Sequence, residues 1–170
     1  MPNTPDEPAT GAVVTLLPYS EGVRARLESL KQGARDSADR YVAAAAQMKK
    51  LRESYETALW EHAAADLVLT TAVAPDGSFR FDDVPAGRWI LYATTARFNR
   101  RDGKTRAADR RFPQDQRFEG FYDVNVWLQD LSTGRTAPGR VELTDRNVWF
   151  SGVAEEWVVR PRPPLTGGPR

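Results

Sequence analysis

The chain offers few side chains suited to acid–base, nucleophilic or metal chemistry. It has one histidine, His62, and no cysteine. Without cysteine there is no disulfide, thiol nucleophile, zinc knuckle or iron–sulfur ligation. A Ser-His-Asp arrangement would have to run through His62, and no Gly-x-Ser-x-Gly elbow accompanies it. A zinc peptidase needs several histidine or carboxylate ligands at fixed spacing, and no such set is visible. The acidic pairs Asp82-Asp83 and Asp123/Asp145 could take calcium, but no Asp-x-Asp-x-Asp-Gly loop surrounds them. Lys31, Lys49, Lys50 and Lys104 all fall on expected helices or a loop. A lysine–asparagine isopeptide bond needs a core lysine on a strand, so that chemistry is excluded. The sequence therefore implies no cofactor, no metal and no catalytic residue.

Binding is better served. A basic stretch at 97–117 holds Arg97, Arg100, Arg101, Lys104, Arg106, Arg110, Arg111 and Arg117, partly offset by Asp102, Asp109 and Asp115. Such a stretch reads first as a solvated loop; as a binding loop it could hold an anion, a polysaccharide, a lipid headgroup or nucleic acid. Phe98, Phe112 and Phe118 interleave with it, either pinning the loop or stacking on a ligand. Of five tryptophans, Trp60 is expected to dock a helix on the sheet. Trp149 and Trp157 would suit sugar stacking if they shared one exposed face. The net charge of +1 gives no global field to recruit nucleic acid, which is not an expected partner.

The elements that must carry these residues follow from the periodicity of the chain. With 170 residues it can form one domain with a sizeable core. No apolar run approaches the roughly 20 residues of a membrane helix. Residues 1–10, with three prolines, read as a disordered leader without the basic and apolar regions of a signal peptide. Ala12 to Leu17 is short, apolar and β-branched, and Pro18 ends it, so a buried strand is predicted. Ser20 can cap a helix that carries Val23, Leu27 and Leu30 on one face and closes at Gly33. Asp36 or Ser37 can cap a second, longer helix, in which Tyr41, Ala45, Met48, Leu51 (or Arg52), Tyr55, Leu59 and His62 recur every three or four positions. Residues 34–66 lack Pro and Gly and are rich in alanine. An antiparallel helical hairpin is predicted over about 20–66. Its apolar stripe, Tyr41, Met48, Tyr55 and Leu59, is a candidate interaction face unless the hairpin packs on its own sheet.

Strand chemistry returns at Leu67–Val73, Phe79–Phe81, Arg88–Thr95, Phe121–Leu128, Arg140–Thr144, Val148–Phe150 and Val153–Val159, with turn signals between. One helical block cannot supply the crossovers of a parallel sheet, so the strands should be antiparallel. The tail 161–170, with four prolines, reads as disordered.

The stretch Thr70 to Thr95 is similar to the signature of carboxypeptidase regulatory-like (transthyretin-like, prealbumin-like) domains. The matching residues are Thr71, Pro75-Asp76-Gly77-Ser78-Phe79-Arg80-Phe81, Val84-Pro85-Ala86-Gly87-Arg88-Trp89 and Leu91. The resemblance covers about 25 residues well and the remaining β part more loosely. It implies a mainly β fold: an antiparallel Greek-key sandwich over 11–160, with the helical hairpin inserted between its first and second strands. It also implies an accessory, non-catalytic module, since such domains sit beside enzymes, in surface proteins or in transporter-associated lipoproteins. Export to a periplasmic or extracellular setting follows from that usage. Hydroxyisourate hydrolases of related fold use several histidines and a C-terminal Tyr-Arg-Gly-Ser, whereas this chain ends Gly-Gly-Pro-Arg. Intradiol dioxygenases need two histidines and two tyrosines on iron, which one histidine cannot supply. The expected function is a structural or protein-interaction module that binds a protein partner or copies of itself, with open sheet edges available for strand addition. A carbohydrate- or anionic-polymer-binding module is the alternative.

Overall fold

A computed structural model describes residues 8–100, 116–134 and 139–159. The protein is mainly β with an α-helical pair. Five strands form one open antiparallel sheet: β1 (Val13–Pro18), β2 (Leu69–Ala72), β3 (Gly87–Arg100), β4 (Gln116–Thr133) and β5 (Phe150–Val159), in the order β2-β1-β3-β4-β5. Helices α1 (Glu21–Gly33) and α2 (Ala38–Glu61) lie in the chain between β1 and β2. β3, β4 and β5 form a meander, while β1 pairs with both β2 and β3.

The helix starts follow the capping chemistry in the sequence. The Ser20 hydroxyl accepts from Val23 N at 3.4 Å, and the Ser37 hydroxyl accepts from Arg40 N at 3.2 Å. Gly33 does not end α1 in a left-handed turn; the chain passes on through Ala34 with helical angles. The end of α2 is a left-handed closure made without glycine. Ala63 takes φ 56°, its N–H donates to Trp60 O, and Ala64 N–H donates to Leu59 O. That double bond is a Schellman closure. His62 sits at this cap, its Nδ1 2.7 Å from Ala58 O, so the lone histidine serves the helix end.

The sheet is apolar on both faces and each face has its own cover. On one face Leu17, Ile90, Tyr92, Val126, Leu128 and Phe150 meet Leu27 of α1 and Ala44, Ala45 and Met48 of α2. On the other, Val14, Leu16, Trp89, Leu91, Ala93 and Trp127 are covered by irregular chain: residues 8–12, 73–86 and 139–148. The alternation of strand residues between the two faces explains why Trp89 and Ile90, adjacent in sequence, end in different cores.

Several expected elements take another form. Phe79–Phe81 and Val141–Leu143 make no strand, yet Phe79, Phe81, Val141 and Leu143 all pack into the second core. Loop carbonyls there are satisfied by side chains: Trp127 Nε1 donates to Thr144 O at 2.7 Å, and Trp89 Nε1 donates to Pro85 O at 3.1 Å. The last two expected strands are one continuous β5. Part of the expected arginine loop is strand, since β3 extends through Arg100 and β4 starts at Gln116. Part of the expected leader is ordered: Ala9 is buried, its N–H donates to Leu143 O, and Pro8 bridges to Thr144. Residues 1–7 and 160–170 lie outside the described residues.

Helix α2 approaches the sheet at Gly152 of β5. A Cβ there would lie 2.5 Å from Phe150 Cε1 and 3.6 Å from Ala45 Cβ. Gly152→Val should therefore lower stability by about 1–3 kcal/mol through overpacking. Urea unfolding checks it; an unchanged midpoint would mean the Phe150 ring gives way without cost.

Candidate functional site

The helical pair has an inner side and an outer side, and they differ in chemistry. The inner side holds the stripe singled out from periodicity. Met48 is fully buried against the sheet, and Leu59 packs on the same core. Tyr55 is half-buried and its hydroxyl donates to Pro18 O at 2.9 Å. Tyr41 is 39% exposed, and its hydroxyl donates to Ser151 O at 3.3 Å. The stripe that could have met another chain thus faces the protein's own sheet, because Ile90, Tyr92, Val126 and Phe150 present an apolar face that needs it.

Beneath α2 lies a buried polar group. The Arg52 guanidinium pairs with Glu56 and sits 5.6 Å from the Tyr92 ring centroid. Arg52 Nε is buried and has no hydrogen-bond partner among the described residues. Burial drives the Tyr92 hydroxyl up to about 12, and the Arg52 charge partly opposes this. Burial also raises Tyr55.

The outer side carries a groove of about 600 Å³ along the seam between α1 and α2. Leu30 and Leu51 are half-buried and line it, and Gly33 and Ala34 leave it shallow at the interhelical turn. Arg26 from α1 and Arg40 and Lys50 from α2 bring positive charge to it, and no carboxylate lines it. Arg40 pairs with Asp36, whereas among the described residues neither Arg26 nor Lys50 has an ion-pair partner. Ser29, Gln47 and Ser54 complete the polar lining. The volume is within the range of small-molecule sites, about 300–1,000 Å³. Sequence reading missed this feature. Its trace was the seven-residue spacing of Arg40, Gln47 and Ser54, which puts all three on one line of α2 away from the sheet.

The other expected binding residues are spread. Arg97 is exposed on β3 opposite Asp123, with Arg100 at the strand's end. Arg101, Lys104, Arg106, Arg110 and Arg111 lie outside the described residues. Phe98 packs on Tyr122 across the strands with centroids 5.0 Å apart, so that phenylalanine pins the ribbon. A bulge between Phe118 and Gly120 turns Phe118 to the face of Trp157, 5.2 Å away. Trp149 lies on the helix side, with Lys31 Nζ 4.8 Å above its ring, so Trp149 and Trp157 do not share a face. Trp60 is 68% exposed and does not dock α2 on the sheet, because it points from the side opposite the apolar stripe. Of the acidic pairs, Asp82 is bound to Arg80, Asp123 accepts from Asn99, and Asp145 starts a separate turn. Among the described residues no three His, Cys, Asp or Glu side chains gather in one place.

No family model matches the chain, nor does any curated protein or any solved structure.

The pH behaviour of Tyr92 follows from its burial. Its folded value is raised above the ordinary 10, so the stability from its neutral burial is fully present below pH 10 and is lost as pH rises through about 12. The loss should be on the order of 2 kcal/mol, and Tyr92→Phe should remove that alkaline transition. Unfolding midpoints between pH 9 and 12 check this; equal midpoints for both proteins would sink it.

Proposed function

We propose that this chain is a non-catalytic structural or protein-interaction module. In this reading it is an exported domain of the carboxypeptidase regulatory-like kind, able to act as an assembly or filament subunit. The observation that carries the reading is the form of β5. It is a ten-residue border strand, and among the described residues no strand lies along its outer edge. Such an edge is a template for strand addition by another chain. The β3–β4–β5 ribbon also runs past the covered part of the sheet, and Ala96 to Asn99 are exposed. The transthyretin-like Greek-key sandwich belongs to the same proposal. It is supported by Phe79 and Phe81, which enter the core together with ring centroids 6.3 Å apart, in the position a second layer would occupy.

Size exclusion with light scattering, at low and high salt and over a range of concentrations, tests the assembly. A defined oligomer or growing polymer is expected, and Ala154→Lys, a charge placed on the border strand, should return it to monomer. A monomer under every condition would rule out self-assembly through this edge.

A second reading, a carbohydrate- or anionic-polymer-binding module, is favoured by exposed Arg97 on the ribbon from which the arginine-rich stretch departs. It predicts retention on dextran sulfate, with Arg97→Glu plus Arg101→Glu eluting at lower salt. Elution of both proteins with the void would dismiss it.

A further inference from the structure

We infer that the outer groove of the helical pair is a docking site for an acidic amphipathic helix from a partner protein. This deepens the interaction-module reading and rests on it, but at a surface separate from the sheet edge. Three observations support it.

The first is shape. Along α2 the groove runs from Arg40 to Ser54, fifteen residues or fourteen helical steps. At 1.5 Å per residue that is about 21 Å, or some four helical turns. Its rims, Arg26 and Ser29 on α1 and Arg40, Gln47, Lys50 and Ser54 on α2, are exposed above a half-buried floor, so the seam is an open trough rather than a closed cavity. A trough between two antiparallel helices is the place where a third helix packs.

The second is chemistry. Leu30 and Leu51 form an apolar strip between two cationic margins, Arg26 on α1 and Lys50 on α2. Neither cation is neutralised by a carboxylate among the described residues. The complementary surface is a leucine stripe at i, i+3/i+4, i+7 flanked by Asp or Glu.

The third is that charge disfavours this protein's own chain as occupant. Residues 101–115 carry five cations against three carboxylates, and 160–170 carry three arginines and no carboxylate. The acidic residues Asp6 and Glu7 precede Pro8, which is anchored on the sheet face opposite the helices, against Gly77. A second copy meeting the groove face to face would set Arg26 and Lys50 against their own kind.

The test uses the full chain and a 16-residue synthetic probe with leucines at helical spacing flanked by glutamates, beside the same peptide with lysines. Fluorescence anisotropy should show saturable binding of the glutamate peptide alone, weakening as salt rises. Amide shifts in two-dimensional NMR should fall on Ser29, Leu30, Gln47 and Leu51. Arg26→Glu with Lys50→Glu should weaken binding about tenfold while the unfolding midpoint holds. If that pair does not fold, Arg26→Gln with Lys50→Gln should still weaken it severalfold. The proposal is overturned by no saturation up to about 1 mM, by shifts that map to β5 instead, by equal binding of the lysine peptide, or by a charge-reversed protein that binds as before. Binding of oleate at the same amides without binding of the peptide would also overturn it, in favour of a lipid carboxylate. Because peptide binding is read at amides of α1 and α2 and self-assembly by light scattering through β5, failure of self-assembly and failure of this site are separate results.

Discussion

The rest of the structure depends on a sheet that is apolar on both sides. Val14 and Leu16 face one way and Leu17 the other, and Trp89, Ile90, Leu91 and Tyr92 alternate strictly across β3. A two-faced sheet cannot stand in water with either face bare, since each buried aliphatic or aromatic side chain contributes roughly 1.5–3 kcal/mol only if covered. The helical pair covers one face. Irregular chain covers the other, pinned by Trp89 and Trp127, whose indole N–H groups satisfy loop carbonyls. The arrangement is economical in regular structure: loop side chains such as Val73 and Leu143 supply the cover, and two of the loop carbonyls, of Pro85 and Thr144, are met by indole N–H groups.

The helical pair is held by small residues as much as by large ones. Ala44 and Ala45 allow α2 to approach β5, and Gly152 leaves the space into which the Phe150 ring folds. Arg24 bonds Asp130 of β4 at 3.2 Å, and Lys31 lies over Trp149, so α1 is tied at both ends to the sheet layer. With most of the inner stripe spent in this way, the outer seam is the groove that α1 and α2 form together on their free side. Any function of the pair must therefore be argued from that seam and not from the apolar stripe.

The β5 edge and the helical groove differ physically as surfaces for recognition. Among the described residues the outer edge of β5 carries no neighbouring strand, so its main-chain donors and acceptors are the groups that strand addition would use. The groove offers charge and an apolar strip, which select by sign and by helical spacing.

Much of the local structure was legible in the sequence. The alanine-rich run and the Ser20 and Ser37 caps set both helices, because capping and propensity act within a few residues. Apolar, β-branched and aromatic runs marked the places of all five strands, although the alternating Phe79–Phe81 and Arg140–Thr144 formed none, and a single helical block already required an antiparallel sheet. The one histidine and the missing cysteine bounded the chemistry before any coordinates. Tertiary structure alone decided three things. It turned Tyr41, Met48, Tyr55 and Leu59 inward, since which partner covers an apolar stripe depends on what else the chain leaves bare. It left Phe79–Phe81 and Val141–Leu143 as covering loops, since strand pairing depends on a neighbour that local sequence does not name. And it opened the groove of Arg26, Lys50, Leu30 and Leu51, residues from two helices that periodicity reads separately and only packing brings side by side.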